Sequence, residues 1–198
     1  MRCLIQGLLK REDYAAYLAS LWPVYDAVED AMVRNQKHKV SGKLYFRELE
    51  RLANLEEDLV FFAGSQWRNI QVPDASYEYA DHVRSVMIDS GHRLVSHAYV
   101  RYLGDLSGGQ MIRRVLAQRL QLDRSGLRFY QFDGILDGEL FKTKYRDRLD
   151  QLSVTPAEED DILDEAIIAF SLNERIFKDL AKILHGQPQR KANHLLEK

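Results

Sequence analysis

The stretch His97–Gln110 reads HAYVRYLGDLSGGQ and holds three glycines, Gly104, Gly108 and Gly109, in the middle of a helical pattern. Apolar residues recur with helical spacing on both sides of it, over residues 77–120. Each interior glycine costs about 1 kcal/mol relative to alanine, so some packing or function must offset about 3 kcal/mol. The stretch therefore predicts a long helix with a section of bare backbone.

One interpretation of the glycines is a nucleotide site, because Leu106–Gln110 spells LSGGQ, the signature of ABC-transporter ATPases. Gly104 and Gly109 also have the spacing of a P-loop. However, Gln110 and Met111 stand where such a loop needs Lys and Ser or Thr to contact phosphate and magnesium. The pattern also lacks the alternating strands and helices of that fold, so nucleotide binding is disfavoured.

Two structural interpretations remain open. Gly104 and Gly108 lie four residues apart on one helix face, where they could let a second helix approach closely. Alternatively, Gly104, Gly108 and Gly109 clear a patch of backbone wide enough for a flat, bulky ligand. In that case Asp105 projects beside the ligand, where a polar group can order water and direct a proton.

The composition of the chain narrows the class of protein. Its 198 residues are 45% hydrophobic and 29% charged, which is enough apolar material for one globular core. The formal net charge of -2 argues against nucleic acid or an anionic membrane as a partner. A single cysteine, Cys3, excludes an intrachain disulfide, and no run approaches the roughly 18 apolar residues of a membrane span. We expect a soluble, cytoplasmic monomer.

The low counts of 11 glycines and 4 prolines predict few turns, and hence an all-α, single-domain protein of long helices. A first helix is indicated by an apolar stripe: Tyr14, Leu18, Leu21, Tyr25, Val28 and Met32. Further helices are predicted over residues 49–63, 138–151 and 155–186, the last with a capping box from Thr155 to Glu158. Residues 127–132 are expected to be an extended connection. We assign the helical domain to residues 1–186 and a polar, mobile tail to residues 187–198.

The glycine-rich stretch resembles a known family, because HAYVRYLGDLSGGQ is similar to the distal-helix signature of heme oxygenases of the animal and bacterial type. Four further stretches match in order: ASLWPVYDAVED, FKTKYRDR, the turn SVTP at residues 153–156, and AFSLNERIF. The resemblance covers residues 1–185. It implies a single-domain, multi-helix bundle with a glycine-kinked distal helix.

The resemblance also implies an activity. In this family heme is both cofactor and substrate, and O2 and electrons convert it to biliverdin, carbon monoxide and ferrous iron. The sequence contains no flavin or iron–sulfur motif, so we expect an external electron-donor protein of the reductase or ferredoxin type.

Individual residues receive roles from the same resemblance. The three glycines cover the distal face of heme, and their mobility lets the helix open and close. Asp105 anchors a distal water network. The partners of that network are Tyr25, Arg101 and Asn173. Phe170 contacts the ring. A core aromatic role for Phe170 is equally compatible with its position.

Two cations are expected to hold the heme propionates. Lys142 and Arg146 lie four residues apart on one helix face, and by resemblance they act together with the hydroxyl of Tyr99. The residues by themselves favour a simpler interpretation, in which this face is a solvated charged surface.

The position of the iron ligand departs from the family pattern. Heme oxygenases bind the iron through a histidine on a helix that precedes the segment resembling Met1–Arg11, and no histidine precedes His38 here. We therefore assign no metal ligand and expect each of the six histidines to be structural or exposed. Either the chain is a heme oxygenase without its first helix, which we favour, or it is a catalytically silent helical protein that binds a tetrapyrrole or a protein partner.

Overall fold

Helices dominate the computed structural model, which describes residues 10–186. They are α1 Arg11–Arg34, α2 Leu52–Ala63, α3 Asp74–Asp89, α4 Leu94–Ala98, α5 Gln110–Arg119, α6 Gly138–Asp150 and α7 Pro156–Gly186. No strand occurs between residues 10 and 186, so the all-α prediction is confirmed and a strand-based nucleotide fold is excluded there. Each helix in this range is too short or too polar to cross a lipid bilayer. Cys3 and the predicted tail 187–198 lie outside the described residues.

Helix α1 forms the centre of the core. Every member of its predicted apolar stripe, from Tyr14 to Met32, is at most 2% exposed. The helix packs mainly against α3 and α2, and it continues through Pro23. This arrangement places Tyr25 inside the protein, where its hydroxyl meets the glycine-rich stretch.

Residues 94–119 form a continuous helical segment, here called the glycine-interrupted helix. Between α4 and α5 it contains two π-helical segments, Tyr99–Leu103 and Asp105–Gly109. A π-helix bonds each N–H group to the carbonyl five residues back, and such segments are frequent at functional sites. Gly104 keeps ordinary right-handed angles, with φ at -58° and ψ at -47°. What this glycine contributes is therefore the lack of a side chain and not an unusual backbone conformation.

The connection between α5 and α6 differs from the extended run expected over residues 127–132. Arg128–Tyr130 forms a 3-10 turn. The buried carboxylate of Asp58 on α2 accepts hydrogen bonds from the backbone N–H groups of Arg128 at 3.0 Å and Phe129 at 2.8 Å. Local sequence cannot show these contacts, because Asp58 and Phe129 are 71 residues apart. The turn carries Tyr130 to the glycine-interrupted helix.

Replacing Asp58 with Ala should destabilise the protein by about 2–4 kcal/mol, because two charge-assisted hydrogen bonds in the interior are lost. Urea unfolding measures the loss as a lower midpoint. Glu57→Ala is the matched control, since the Glu57 side chain is 56% exposed and its ion pair with Arg128 should contribute about 1 kcal/mol or less. Equal losses in the two variants would show that Asp58 does not anchor the turn.

The capping box predicted at the start of α7 is confirmed. The backbone N–H of Thr155 donates to Glu158 Oε2 at 2.9 Å, and the backbone N–H of Glu158 donates to Thr155 Oγ1 at 3.3 Å. The helix then runs for 31 residues and packs against α3 and α4. It forms the second wall of the site described below.

Candidate active site

An open cavity of about 330 Å³ lies between the glycine-interrupted helix and α7. Its volume falls in the range of small-molecule sites. Its walls are mainly apolar, with a few polar groups. The residues that matter for the site come from both helices, from α1 and from the turn before α6: Arg101, Gly104, Asp105, Gly108, Gly109, Phe170, Asn173, Phe177, Tyr17 and Tyr130.

Gly104 and Gly108 present bare backbone to this cavity. A Cβ atom built on either residue meets no heavy atom within 4 Å. Within residues 10–186 no second helix packs on them, so close helix packing does not explain these two glycines. The space they leave can hold a flat ligand against the helix backbone.

Gly109 lacks a side chain for a different reason. A Cβ atom there would lie 2.7 Å from Cδ1 and 2.9 Å from Cε1 of Tyr130. The Tyr130 ring is buried, and its hydroxyl is 3.1 Å from that of Tyr17. The patch expected from the sequence therefore consists of two open glycines and a third that is closed by Tyr130, although Gly109 also borders the cavity.

Four of the predicted residues meet in one polar network at the cavity wall. The Tyr25 hydroxyl donates to Asp105 Oδ2 and accepts hydrogen bonds from the Arg101 guanidinium at 2.9 and 3.2 Å. Arg101 also donates to Asn173 Oδ1 at 2.5 Å, which ties the glycine-interrupted helix to α7. Arg101 Nη2 and Asp105 Oδ1 are 4.0 Å apart, so Tyr25 is the main link between the two charges.

Burial sets the protonation of this network. It raises the pKa of Asp105 above its ordinary value, while the charge of Arg101 and the hydrogen bond from Tyr25 oppose that rise. Burial also raises the pKa of Tyr25 well above its ordinary value, so this phenol keeps its proton and remains a donor. Asp105 is thus an acid–base group at the cavity wall with one oxygen engaged by Tyr25. Such a group can hold water and exchange a proton with it.

Phe170 lies at the open side of the cavity. Its side chain is 58% exposed, so it is not the core aromatic residue of the alternative interpretation. It shares the cavity wall with Asn173, three residues further along α7. An exposed aromatic ring at the mouth of an apolar cavity is suited to contact with a planar ligand.

The predicted propionate-binding residues do not line this cavity. Lys142 is only 7% exposed, and its Nζ pairs with Glu139 Oε1 at 2.7 Å. Arg146 is exposed and Tyr99 is partly buried. A solvated charged face describes Arg146 but not Lys142, because the Lys142 side chain is buried.

Tyr17 and Tyr130 line the cavity but were not predicted as site residues. Tyr17 lies eight residues before Tyr25, which places both on the same side of α1. That spacing is a signal that could have identified Tyr17. Tyr130 has no such signal, because its position depends on the turn that Asp58 holds.

No histidine side chain described by the structure lines the cavity. His97 is fully buried and lies 3.3 Å from the Tyr79 hydroxyl, and His82 lies beside Glu165. His38 contacts its own loop, and His92 pairs with Asp161. Among the histidine side chains that the structure describes, we therefore assign no ligand for a heme iron.

The all-helical fold, with bare helix backbone and a buried carboxylate beside an apolar cavity, is suited to hold a flat ligand against a helix. The family model described as heme oxygenase matches residues 1–179 of the sequence. The chain belongs to the heme oxygenase family.

Individual relatives agree with this assignment. Heme oxygenase 1 of Nostoc sp. is 36% identical over 182 residues, which cover 91% of this chain and 76% of that protein. Heme oxygenase of Takifugu rubripes is 40% identical over 183 residues, which cover 91% of this chain and 66% of that protein. The crystal structure of heme oxygenase-1 from Synechocystis sp. in complex with heme is similar at a TM-score of 0.85 and 35% identity, covering 93% of this chain and 86% of that one.

Family membership defines the class of activity. Heme oxygenases degrade heme, which serves them as both substrate and prosthetic group, and they need O2 and electrons from a donor. The prediction of a heme oxygenase enzyme is therefore confirmed, and no comparison favours the catalytically silent alternative. The open backbone at Gly104 and Gly108, with the buried carboxylate of Asp105 between them, also fits one face of a planar ring.

Proposed function

We propose that this chain cleaves heme oxidatively to biliverdin, carbon monoxide and ferrous iron, with the ring held against Gly104 and Gly108. The observation that carries this proposal is that open helix backbone and the Asp105 network share one cavity. Gly104 and Gly108 would contact one face of the ring, and Phe170, which lines the same cavity, would contact its edge. When bound, heme supplies the iron that activates O2 and the meso carbon that is oxidised.

The residues around the ring have separate tasks in this proposal. Asp105 holds water at the distal face and exchanges protons with it, because its carboxyl group is the acid–base group of the cavity wall. Tyr25 orients that carboxyl group by a hydrogen bond, and Arg101 compensates its charge. Asn173 holds the Arg101 guanidinium and so keeps α7 aligned with the glycine-interrupted helix.

We also propose that Lys142, Arg146 and Tyr99 bind the heme propionates. Lys142 supports this, because its buried ammonium pairs with a Glu139 side chain that is 86% exposed, and a ligand carboxylate could replace that partner. Burial raises the pKa of Tyr145 on α6, and the nearby Tyr99 hydroxyl adds to the rise. Tyr99 keeps the role that the family resemblance gives it.

Replacing Lys142 and Arg146 together with Ala should weaken heme binding by about tenfold or more, because each charge-assisted hydrogen bond to a propionate is lost. The variant should also shift which meso position is opened, since the propionates then no longer fix the rotation of the ring. Heme titration and chromatography of the biliverdin isomers measure the two effects.

Lys178→Ala with Lys182→Ala is the matched control for this pair. It removes the same charge from exposed positions on α7, where the side chains are 64% and 77% exposed. If the two double variants bind heme equally well and open the ring at the same position, the propionate role of Lys142 and Arg146 is wrong.

The electron donor is proposed to be a separate protein of the reductase or ferredoxin type. Family members need electrons, and a chain with one cysteine cannot hold an iron–sulfur cluster on four thiolates. We further propose that residues 1–186 act as one domain and as a monomer.

Two measurements test the proposed function. Addition of hemin to the purified chain should produce a Soret band that saturates at one equivalent. Single turnover with a reductase and O2 should then convert that band to the biliverdin spectrum. A Soret band that saturates but is not converted would support a silent heme-binding protein. If no Soret band forms and no biliverdin appears, heme is excluded as the ligand of the cavity.

A further inference from the structure

A second polar cluster lies outside the cavity, where three helices meet. His82 on α3, His97 on α4 and Glu165 on α7 each offer one potential ligand atom, and these atoms all lie within 4.8 Å of one another. Glu165 Oε1 is 2.5 Å from His82 Nε2 and 2.9 Å from His97 Nε2. The proposed heme chemistry uses none of these three side chains.

The burial of this cluster is unusual for its composition. The side chains of Glu165 and His97 are fully buried, and that of His82 is 29% exposed. Buried carboxylates need charge compensation, and Arg93 supplies part of it at Oε2 of Glu165. His97 Nε2 nevertheless has no well-oriented hydrogen bond, although it is inaccessible to water. This buried ring nitrogen thus lies 2.9 Å from Glu165 Oε1 without the geometry of a hydrogen bond to it.

Two imidazoles and one carboxylate form a known type of metal-ligand set. Zinc enzymes use it with a fourth position left to water, and non-heme Fe²⁺ sites use the same three side-chain types. In a tetrahedral zinc site, neighbouring ligand atoms are about 3.3 Å apart. The two distances to Glu165 Oε1 are somewhat shorter, so small side-chain rotations would make room for an ion.

The surroundings also suit metal ligation. The Tyr79 hydroxyl lies 3.3 Å from His97 Nδ1, where it can accept the ring proton and leave Nε2 to bind a metal. Arg93 holds Oε2 of Glu165 and leaves Oε1 directed at the two imidazoles. The partial exposure of His82 gives the cluster a side open to solvent.

We propose that His82 Nε2, His97 Nε2 and Glu165 Oε1 form a binding site for a divalent transition-metal ion, of the class that includes Zn²⁺ and Fe²⁺. Water fills the remaining position on the side of His82. The bound ion links α3, α4 and α7. Because His97 lies one helical turn before Arg101, the ion also fixes the start of the glycine-interrupted helix.

The test uses the full chain without heme and Zn²⁺ as the probe. Calorimetric titration should show one Zn²⁺ per chain in a site whose affinity falls by about 100-fold or more in His82→Ala. Zn²⁺ should raise the melting temperature of the parent protein but not that of this variant. Co²⁺ should give the intense visible bands of a four- or five-coordinate ion, and anaerobic titration with Fe²⁺ compares the two metals.

His92→Ala is the matched control, because His92 also pairs with a carboxylate, that of Asp161 at 3.0 Å, but lies outside the cluster. It should bind Zn²⁺ as the parent does.

His97 is buried, so the decisive variants are His82→Ala, at a partly exposed position, and Glu165→Gln, which preserves volume. The proposal is overturned if the parent binds no Zn²⁺, or if both variants retain parental affinity. The cluster would then be a hydrogen-bonded ion network only. Neither result depends on heme cleavage.

Discussion

Asp105→Ala should slow single-turnover formation of biliverdin by about 100-fold or more, with much smaller changes in heme binding. The carboxyl group of Asp105 is the acid–base group at the cavity wall, and burial raises its pKa above the ordinary value. Burial raises the pKa of the neighbouring Tyr17 to about 12 and that of Tyr25 well above its ordinary value, so neither phenol can replace Asp105. Stopped-flow absorbance after addition of reductase measures the rate directly.

Asp105→Asn separates proton handling from packing. Asn keeps the volume of Asp105 and an oxygen that can accept the hydrogen bond from Tyr25, but it has no charge and exchanges no proton. Both variants leave the buried Arg101 without its anion, so thermal melting must show how much stability each has lost. A slow Asn variant with normal heme binding would support proton handling. A parental rate of biliverdin formation in Asp105→Ala would contradict the assigned role.

The parts of this site that are local in sequence could be predicted without a structure. Arg101 and Asp105 lie four residues apart, and the glycines beside them stand out because helices disfavour them. Tyr25 and Asn173 lie 76 and 72 residues from Arg101, which donates hydrogen bonds to both. Only the family resemblance could bring these two residues to the site, since spacing along the chain carries no information about such contacts.

Other features depend on tertiary packing that no local pattern contains. Gly109 looks like its neighbours in the sequence, yet it faces the Tyr130 ring, which is placed by the turn at Asp58. Glu165 belongs to an acidic stretch of α7 in which no sequence feature sets it apart, but its side chain is fully buried between two histidines. Lys142 on α6 also has the sequence pattern of a surface cation, although its side chain is buried. Burial decides the chemistry in these cases, and burial follows from the packing of distant helices.

Gly108→Leu should weaken heme binding by about 100-fold or more and leave the protein folded. A Cβ atom at Gly108 meets nothing within 4 Å, so the backbone tolerates a side chain there, and a better helix former could add about 1 kcal/mol of stability. The leucine side chain would, however, occupy the space in which the ring is proposed to lie. Hemin titration and thermal melting measure the two effects on the same sample.

Gly109→Ala should have the opposite pattern, with a loss of stability of about 1–3 kcal/mol and near-normal heme affinity in the folded fraction. Its new methyl group would lie 2.7 Å from a Tyr130 ring that is buried and close to the Tyr17 hydroxyl, so the ring cannot move aside freely.

A double-mutant cycle provides the control: in a Tyr130→Ala background, Gly109→Ala should cost little stability, because the clash is gone. If Gly108→Leu unfolds the protein while Gly109→Ala blocks heme, the two glycines have been assigned to the wrong neighbours. If Gly109→Ala costs as much without Tyr130 as with it, the strain lies in the backbone of the π-helical segment and not in the contact with the ring.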